Sequence, residues 1–380
     1  MTAGKGPLAG VRVVELAGIG PGPHAAMLLA DLGADVIRVE RPGGATSAGP
    51  RETDLLTRGR PSVALDLKHP DAVVTVRALA EKADVFLEGM RPGAAERLGL
   101  GPDELLASNP RLVYGRMTGW GQDGPWAEVA GHDLNYLAVS GILHGLGQTP
   151  DRPQFPTNLL GDFGGGSTYL VIGVLAALTE ARTSGRGQVV DAAIVDGVAH
   201  LGTMQAGMLA AGLAHERRAA GLLDGGAPFY DVYETADGKH MSVGALEPQF
   251  FAELVQLLEL DDAPDQWDIE RWGELRERLT ARFRERTQEE WAGVFDGTDA
   301  CVAPVLPVSE AAQHPHVAAR GTWVERDGLT QPAPAPRFSR TPGELGDGPS
   351  VAGGDTRAAL TAWGVEDVEG LIESGAAVQA

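Results

Sequence analysis

The stretch VRVVELAGIGPGPHAAMLLADLGADVIRVE, residues 11–40, decides the fold class. It opens with a continuous apolar run, VRVVELA (11–17), and passes through a Gly/Pro-rich turn into a helical segment from His24 to Leu32. It ends in a second apolar run, DVIRVE (35–40). Strands that are apolar throughout, rather than alternating, suit a sheet covered on both faces, and such sheets are parallel with helical crossovers. The pattern continues outward. VALDL (63–67) reads as a third strand, 70–82 as an amphipathic helix, and DVFLE (84–88) and LVYGRM (112–117) as two more strands. The first 120 residues therefore form a doubly wound α/β unit.

Beyond it, 167–183 (STYLVIGVLAALTEART) reads as a buried helix, and 187–202 (GQVVDAAIVDGVAHLG) as a strand running into a long helix. Near residue 230 the period changes. FYDVYETADGKHMSVGA alternates on both sides of Asp237-Gly238, a strong hairpin signal. Helices follow, one opened by the capping box Thr287-x-x-Glu290. This places a small α+β domain at 230–305, as expected for a 380-residue chain too long for one core. QPAPAPRFSRTPG (331–343) is a Pro-rich connector, and 355–374 returns to helix.

Composition sets outer bounds. Hydrophobic residues make up 43%, ordinary for a globular protein. No apolar run reaches the roughly 18–20 residues of a membrane helix, so no membrane role is expected. MTAGKGPLAG lacks the apolar stretch of a signal peptide, and GAAVQA is no peroxisomal address. One cysteine, Cys301, fits a reducing compartment, and a cytoplasmic location is expected. In its apolar run CVAPV, Cys301 reads as a buried, inert thiol. The net charge of −21 argues against nucleic acid. That excess lies beyond residue 120, since residues 1–120 hold 14 basic and 14 acidic side chains. A compact polyanion could still bind in that balanced third.

Gly18-Ile19-Gly20-Pro21-Gly22-Pro23, with Glu40 ending the second strand, imitates a dinucleotide fingerprint. Pro21 and Pro23 remove two of the N–H donors a pyrophosphate needs, so a nicotinamide cofactor is not expected. Neither G-x-S-x-G nor a P-loop occurs. His314-Pro-His316 lacks companions at metal-ligand spacing, so no metal is expected.

Two segments set titratable groups amid glycine: Gly131-His132-Asp133-Leu134-Asn135-Tyr136, and Asn158 to Gly166 (NLLGDFGGG), which carries Asp162 ahead of the buried helix. A helix N-terminus stabilises negative charge there, and glycines let a substrate approach. Each segment also has a plain structural reading, Asp162 as a helix cap and His132 as a satisfied loop residue.

The segments ELAGIGPGPHAAMLLADLGADVIRVERPG, ALDLK, EGMRPGAAERLGLGP, YGRMTGWGQDGP, GHDLNY, NLLGDFGGGS and LDGGAPFYDVYETADGKHMSVGALEPQF closely resemble the α-methylacyl-CoA racemases, a branch of the family III CoA-transferase superfamily. The likeness runs from about residue 8 to 340. It implies a large Rossmann-like CoA-binding domain built from both chain ends (1–190 and 325–380), a linker helix (191–229), the small α+β domain (230–305) and a return linker (306–324). It also implies a homodimer whose subunits interlock, with the active site between them.

By position, the resemblance assigns the catalytic base to His132, its opposing aspartate to Asp162, and a glutamate that supports the histidine to Glu247. For the CoA moiety it implies Arg41, the ALDLK strand (Leu65, Asp66, Leu67, Lys68), the turn Gly89-Met90-Arg91, Arg97, and Gly131, Asp133, Leu134, Asn135 and Tyr136 around the histidine. Coenzyme A belongs to the substrate, so no cofactor is implied. Inverting a carbon needs one group to remove a proton and a second to return one on the opposite face. An imidazole suits the first task near neutral pH. Asp162 suits the second if burial raises its pKa. The enolate oxygen needs donors, expected among backbone N–H groups near Asp162 and Asp133. The same superfamily offers an alternative, a CoA transferase in which Asp162 attacks as nucleophile. His132 within GHDLNY and Glu247 after the hairpin favour the racemase.

Overall fold

The computed structural model describes residues 5–44 and 49–380. The first four residues of the stretch read above for a leader lie outside that set. The strands β1 (Arg12–Leu16), β2 (Asp35–Glu40), β3 (Ser62–Leu65), β4 (Val85–Glu88), β5 (Val113–Thr118) and β6 (Val189–Ala193) join the C-terminal strand Ala377–Val378 in a seven-stranded sheet. Across the sheet the order is C-terminal strand, β3, β2, β1, β4, β5, β6. All neighbours are parallel except the C-terminal strand, which runs antiparallel to β3. The chain thus builds outward from β1 in one direction and then, from β4, in the other. This is a mixed α/β fold with a mostly parallel sheet, and its central strands are buried on both faces, as their apolar composition requires.

Parallel pairing needs crossovers. α1 (Pro21–Asp31) joins β1 to β2, and α2 (Pro70–Glu81) joins β3 to β4. α1 begins three residues before His24 because Pro21 opens it. Proline lacks the N–H that the first turn leaves unpaired, and its φ is preset for a helix. β3 stops at Leu65, short of the expected Leu67, because the Asp66 carboxylate accepts the Lys68 N–H at 3.1 Å and closes a turn.

The structure differs from the sequence expectations at several other places. A nine-residue π-helical turn, Leu159–Ser167, precedes the helix Thr168–Ser184. Together, Leu159–Ser184 is long and apolar enough to cross a membrane by length and composition, which corrects the expectation that no such run exists. Its inner face is packed. Gly165 lies against Val198, Gly166 against Ile194, and Leu170 and Val174 against Gly115 of β5. The long helix expected after β6 breaks at Gly202 into Ile194–Leu201 and Thr203–Ala210. Gln331 and Pro332, expected in a connector, belong to the strand Leu329–Pro332 that pairs with Trp323–Arg326. Cys301 is exposed rather than buried, at a positive-φ position just ahead of the strand Val302–Pro304.

The chain divides into two compact units. The first comprises Met1–Ser140, Pro156–Leu201 and Gly321–Ala380. The second comprises Gly141–Phe155 and Gly202–Arg320. In the second, β7 (Tyr230–Glu234), β8 (His240–Gly244) and β9 (Val302–Pro304) form an antiparallel sheet. Asp237 and Gly238 lie in the β7–β8 loop, where Gly238 takes φ +73°. Thr287 caps the helix Gln288–Phe295, its hydroxyl accepting from Glu290 N–H at 3.3 Å while Glu290 Oε2 accepts from Thr287 N–H at 2.8 Å. Phe229, Phe283 and Trp291 fill the core of this unit.

Candidate active site

In doubly wound sheets, ligands bind beyond the carboxyl ends of the strands where the strand order reverses. That point here lies between β1 and β4. A cavity of about 600 Å³ opens there, walled by the residues following β1 (Gly18–Pro23), β4 (Gly89–Arg91) and β5 (Gly119, Trp120), and by Gly131, His132, Tyr136, Asn158 and Asp162. A second cavity, of about 380 Å³, lies beyond the ends of β1, β2 and β3 and is lined by Arg41, Leu65, Asp66, Leu67 and Lys68. Leu16 and Met90 line both.

His132 and Asp162 therefore share one cavity. His132 precedes the helix Asp133–Val139, and its N–H donates to Asn135 Oδ1 at 3.0 Å, which fixes the start of the helix. Asp162 sits on the π-helical turn, half-buried. Its own N–H donates to Asp133 Oδ1 at 2.6 Å, so the two segments that stood out in the sequence are tied together. Asn158 Nδ2 donates to Asp162 Oδ2 at 3.3 Å. Gly20, at φ +66°, brings its backbone against the same oxygen, and a Cβ there would lie 3.3 Å from it.

Burial pushes the Asp162 carboxyl above its ordinary 3.8, and the charge of Asp133 adds to the rise, while the Asn158 hydrogen bond and His132 oppose it. Burial likewise raises Asp133, against the N–H groups of Asp162 and Gly161. A raised carboxyl pKa stabilises the fold below the unfolded-state pKa, and that contribution is lost as pH rises through the folded-state value. Asp162→Asn removes this titration. Its melting temperature is expected to gain on the parent's most at pH 7–8 and least near pH 4. Parallel melting curves at all pH values would contradict this.

The wall made by Gly18–Pro23 is held from beneath by buried charge. Arg38 pairs with Glu15 and donates to Gly18 O at 3.4 Å. Arg60 reaches Glu15 at 3.0 Å and Pro23 O at 2.8 Å. All three side chains are buried, so each charge needs its partner. The stretch that fails as a dinucleotide motif is a braced wall of the cavity.

Glu88 does the same for the Gly89-Met90-Arg91 turn. Its Oε2 accepts from Met90 N–H at 2.6 Å, and its Oε1 accepts from Arg116 Nε at 2.9 Å. Of the other residues singled out in the sequence, Arg97 is exposed on the short helix Ala94–Arg97 and lines neither cavity. Asp133, Leu134 and Asn135 do not line them either: Asp133 holds backbone, Asn135 caps, and Leu134 is exposed. Glu247 lies in the second unit, exposed at the start of the helix Pro248–Leu257. Sequence reasoning gave no role to Asn158 or Glu88. Asn158, four residues before Asp162 on a helical turn, had a spacing signal that could have found it.

Comparison with known proteins adds to the geometry. The family model for CoA-transferase family III matches residues 8–356. The chain is 47% identical over 338 residues to a protein of Mus musculus named alpha-methylacyl-CoA racemase, covering 88% of this chain and 87% of that one. It is 44% identical over 340 residues to the Homo sapiens protein of the same name, with the same shares covered. A crystal structure of a CAIB/BAIF family protein from Brucella suis superposes with a TM-score of 0.80 at 29% identity, covering 94% of this chain and all of that one. The chain belongs to CoA-transferase family III.

Proposed function

We propose that this protein interconverts the (2R) and (2S) forms of 2-methylacyl-CoA thioesters by transferring a proton at the carbon beside the carbonyl, through an enolate and without an added cofactor. The observation that carries the reading is one cavity walled by both His132 and a carboxyl, Asp162, whose pKa is raised by burial. The names of the two mammalian relatives support it. His132 removes the proton from one face. Asp162, shifted toward its protonated form, delivers one to the other, and the roles reverse for the opposite enantiomer.

The developing oxyanion needs a donor. The Asp162 N–H is already taken by Asp133, which revises the earlier expectation for that group. The N–H of Asp133 suits the task better: Asp133 does not itself line the cavity, but it adjoins His132, which does, and first-turn N–H groups have no intrahelical partner.

The nucleotide end of coenzyme A fits the second cavity, where Arg41 and Lys68 supply positive charge. Met90, lining both cavities, then borders the passage for the pantetheine arm. The remote nucleotide is bound alike in ground and transition states. Lys68→Ala, in that second cavity, is therefore expected to raise KM by about tenfold with little change in kcat, as steady-state kinetics would read. A fall mainly in kcat would tie CoA anchoring to the chemical step.

The protein is further proposed to be a cytoplasmic enzyme of branched-acyl lipid metabolism and an interlocked homodimer. In that dimer Glu247 reaches His132 across the subunit boundary and holds its tautomer. The helix Thr203–Ala210 supports a dimer, because it buries none of its residues although it carries Met204 and Leu209. Analytical ultracentrifugation should find particles of two 39.7 kDa chains; a lone 39.7 kDa species would sink that part.

The activity itself is tested in heavy water with enantiopure 2-methylacyl-CoA thioesters. Deuterium should enter at the carbon beside the carbonyl while the opposite enantiomer forms. Exchange-free transfer of CoA to a carboxylate acceptor, with an aspartyl adduct trapped by hydroxylamine at Asp162, would favour a transferase.

A further inference from the structure

His24 lies on the first turns of α1, and nothing above gives it a task. Its ring stacks on Phe163, with centroids 4.5 Å apart and planes 28° from parallel. Its Nδ1 is 2.6 Å from Ser167 Oγ. Ser167 is fully buried, and its hydroxyl donates to Phe163 O at 3.0 Å. The oxygen is thus left as acceptor, and His24 must donate through Nδ1–H. Burial, with Arg58 and Arg60 nearby, lowers the His24 pKa to about 4, so the ring is neutral and is held in that tautomer.

Phe163 and Ser167 belong to the π-helical turn that carries Asp162. The His24 backbone adds a second hold: its N–H donates to Gly20 O at 3.2 Å, and Gly20 lies against Asp162 Oδ2. The start of α1 thus meets the turn at the carboxylate, through Gly20, and just beyond it, through His24. Such a hold matters because π-helical turns are rare, with poorer intrinsic stability than α-helix, and survive where their surroundings select them. Slipping by one residue to α-helical register would swing the Asp162 side chain by about 100° around the helix axis.

We propose that His24 is a positioning residue that fixes the register of the π-helical turn, and so the aim of Asp162, through its stack on Phe163 and its hydrogen bond to Ser167. The proposal rests on the reading of Asp162 as one of two proton-transfer groups. It concerns only that half of the reaction. His132 sits on a different segment, whose helix start is fixed by Asn135.

The test measures initial deuterium uptake from each enantiomer of a 2-methylacyl-CoA in heavy water. His24→Phe keeps the stack and loses the donor. It should slow, about tenfold, uptake from the enantiomer whose exchange Asp162→Ala abolishes, and leave the other within about twofold. Ser167→Ala, which removes the acceptor together with the hydroxyl's own bond to Phe163 O, should slow the same enantiomer at least as much, and the double variant should be no worse than Ser167→Ala alone. His24→Asn, which places an N–H near the position of Nδ1, should recover most of the loss. Equal slowing of both enantiomers, or parent-like rates in both single variants, would overturn the proposal. Should His24→Phe fail to fold by circular dichroism, Ser167→Ala decides in the same assay. If the parent protein exchanges neither enantiomer, the proposed function itself fails, and the role of His24 falls with it.

Discussion

His132→Ala is expected to abolish deuterium uptake from one enantiomer of a 2-methylacyl-CoA while leaving uptake from the other, and Asp162→Ala to do the reverse. Both variants lose interconversion by about a thousandfold or more, since a positioned acid or base contributes roughly 10²–10⁴ and inversion needs both. The asymmetry follows from geometry. Both groups line one cavity, and in the proposed scheme each meets the substrate from its own side, so each removes the proton from only one hand of the substrate. Exchange measured by mass spectrometry on separated enantiomers reads this directly. If both variants kept two-way activity, the two-base scheme would be wrong.

Gly161→Ala is the second change with a large expected effect. A Cβ at residue 161 would lie 2.2 Å from Asp133 Oδ1 and 2.6 Å from its Cγ. Asp133 must move, yet that oxygen accepts the Asp162 N–H, and the side chain is buried. The added methyl should therefore displace the turn that carries Asp162, costing about 1–3 kcal/mol of stability as overpacking does. It should lower kcat by about a hundredfold, since misplacing a reacting group by about 1 Å has effects of that order. Gly164→Ala is the control on the same turn: its Cβ would find nothing nearer than 3.3 Å. Similar kinetics for the two variants would show that the contact with Asp133 does not set the aim of Asp162.

Much of the fold is legible in the chain because buried parallel strands announce themselves. VRVVEL, DVIRVE and VFLE have no solvated face to encode, so apolar runs and intervening helices define them within a residue or two. The π-helical turn was not legible. LLGDFGGG carries no period of its own, and its surroundings arrive from elsewhere in the chain: Asp133, Val198 and Ile194 against its glycines, and His24 against Phe163 and Ser167. For the same reason the membrane-length helix was missed: glycines and Asp162 interrupt the apolar run in sequence but not in space.

The site shows a similar division. His132 and Asp162 stood out as titratable groups amid glycine, and the resemblance gave them roles. Their bracing was hidden. Glu15, Arg38 and Arg60 stand far apart in the chain and look like ordinary surface charges, yet fold into a buried cluster under the Gly18–Pro23 wall. The Gly-Pro stretch itself read as a defective nucleotide motif, because its work is done by shape rather than by N–H donors. Cys301 misled in the opposite way. Its apolar neighbours suggest burial, whereas a positive φ just before β9 leaves the thiol exposed.

A crystal structure of the protein with a bound 2-methylacyl-CoA tests the central claim most directly. The proposed mechanism predicts the carbon beside the thioester carbonyl between the His132 imidazole and the Asp162 carboxyl, each about 3–3.5 Å away on opposite faces. An acyl group bonded to Asp162, or a carbon that only one of the two side chains can reach, would contradict it.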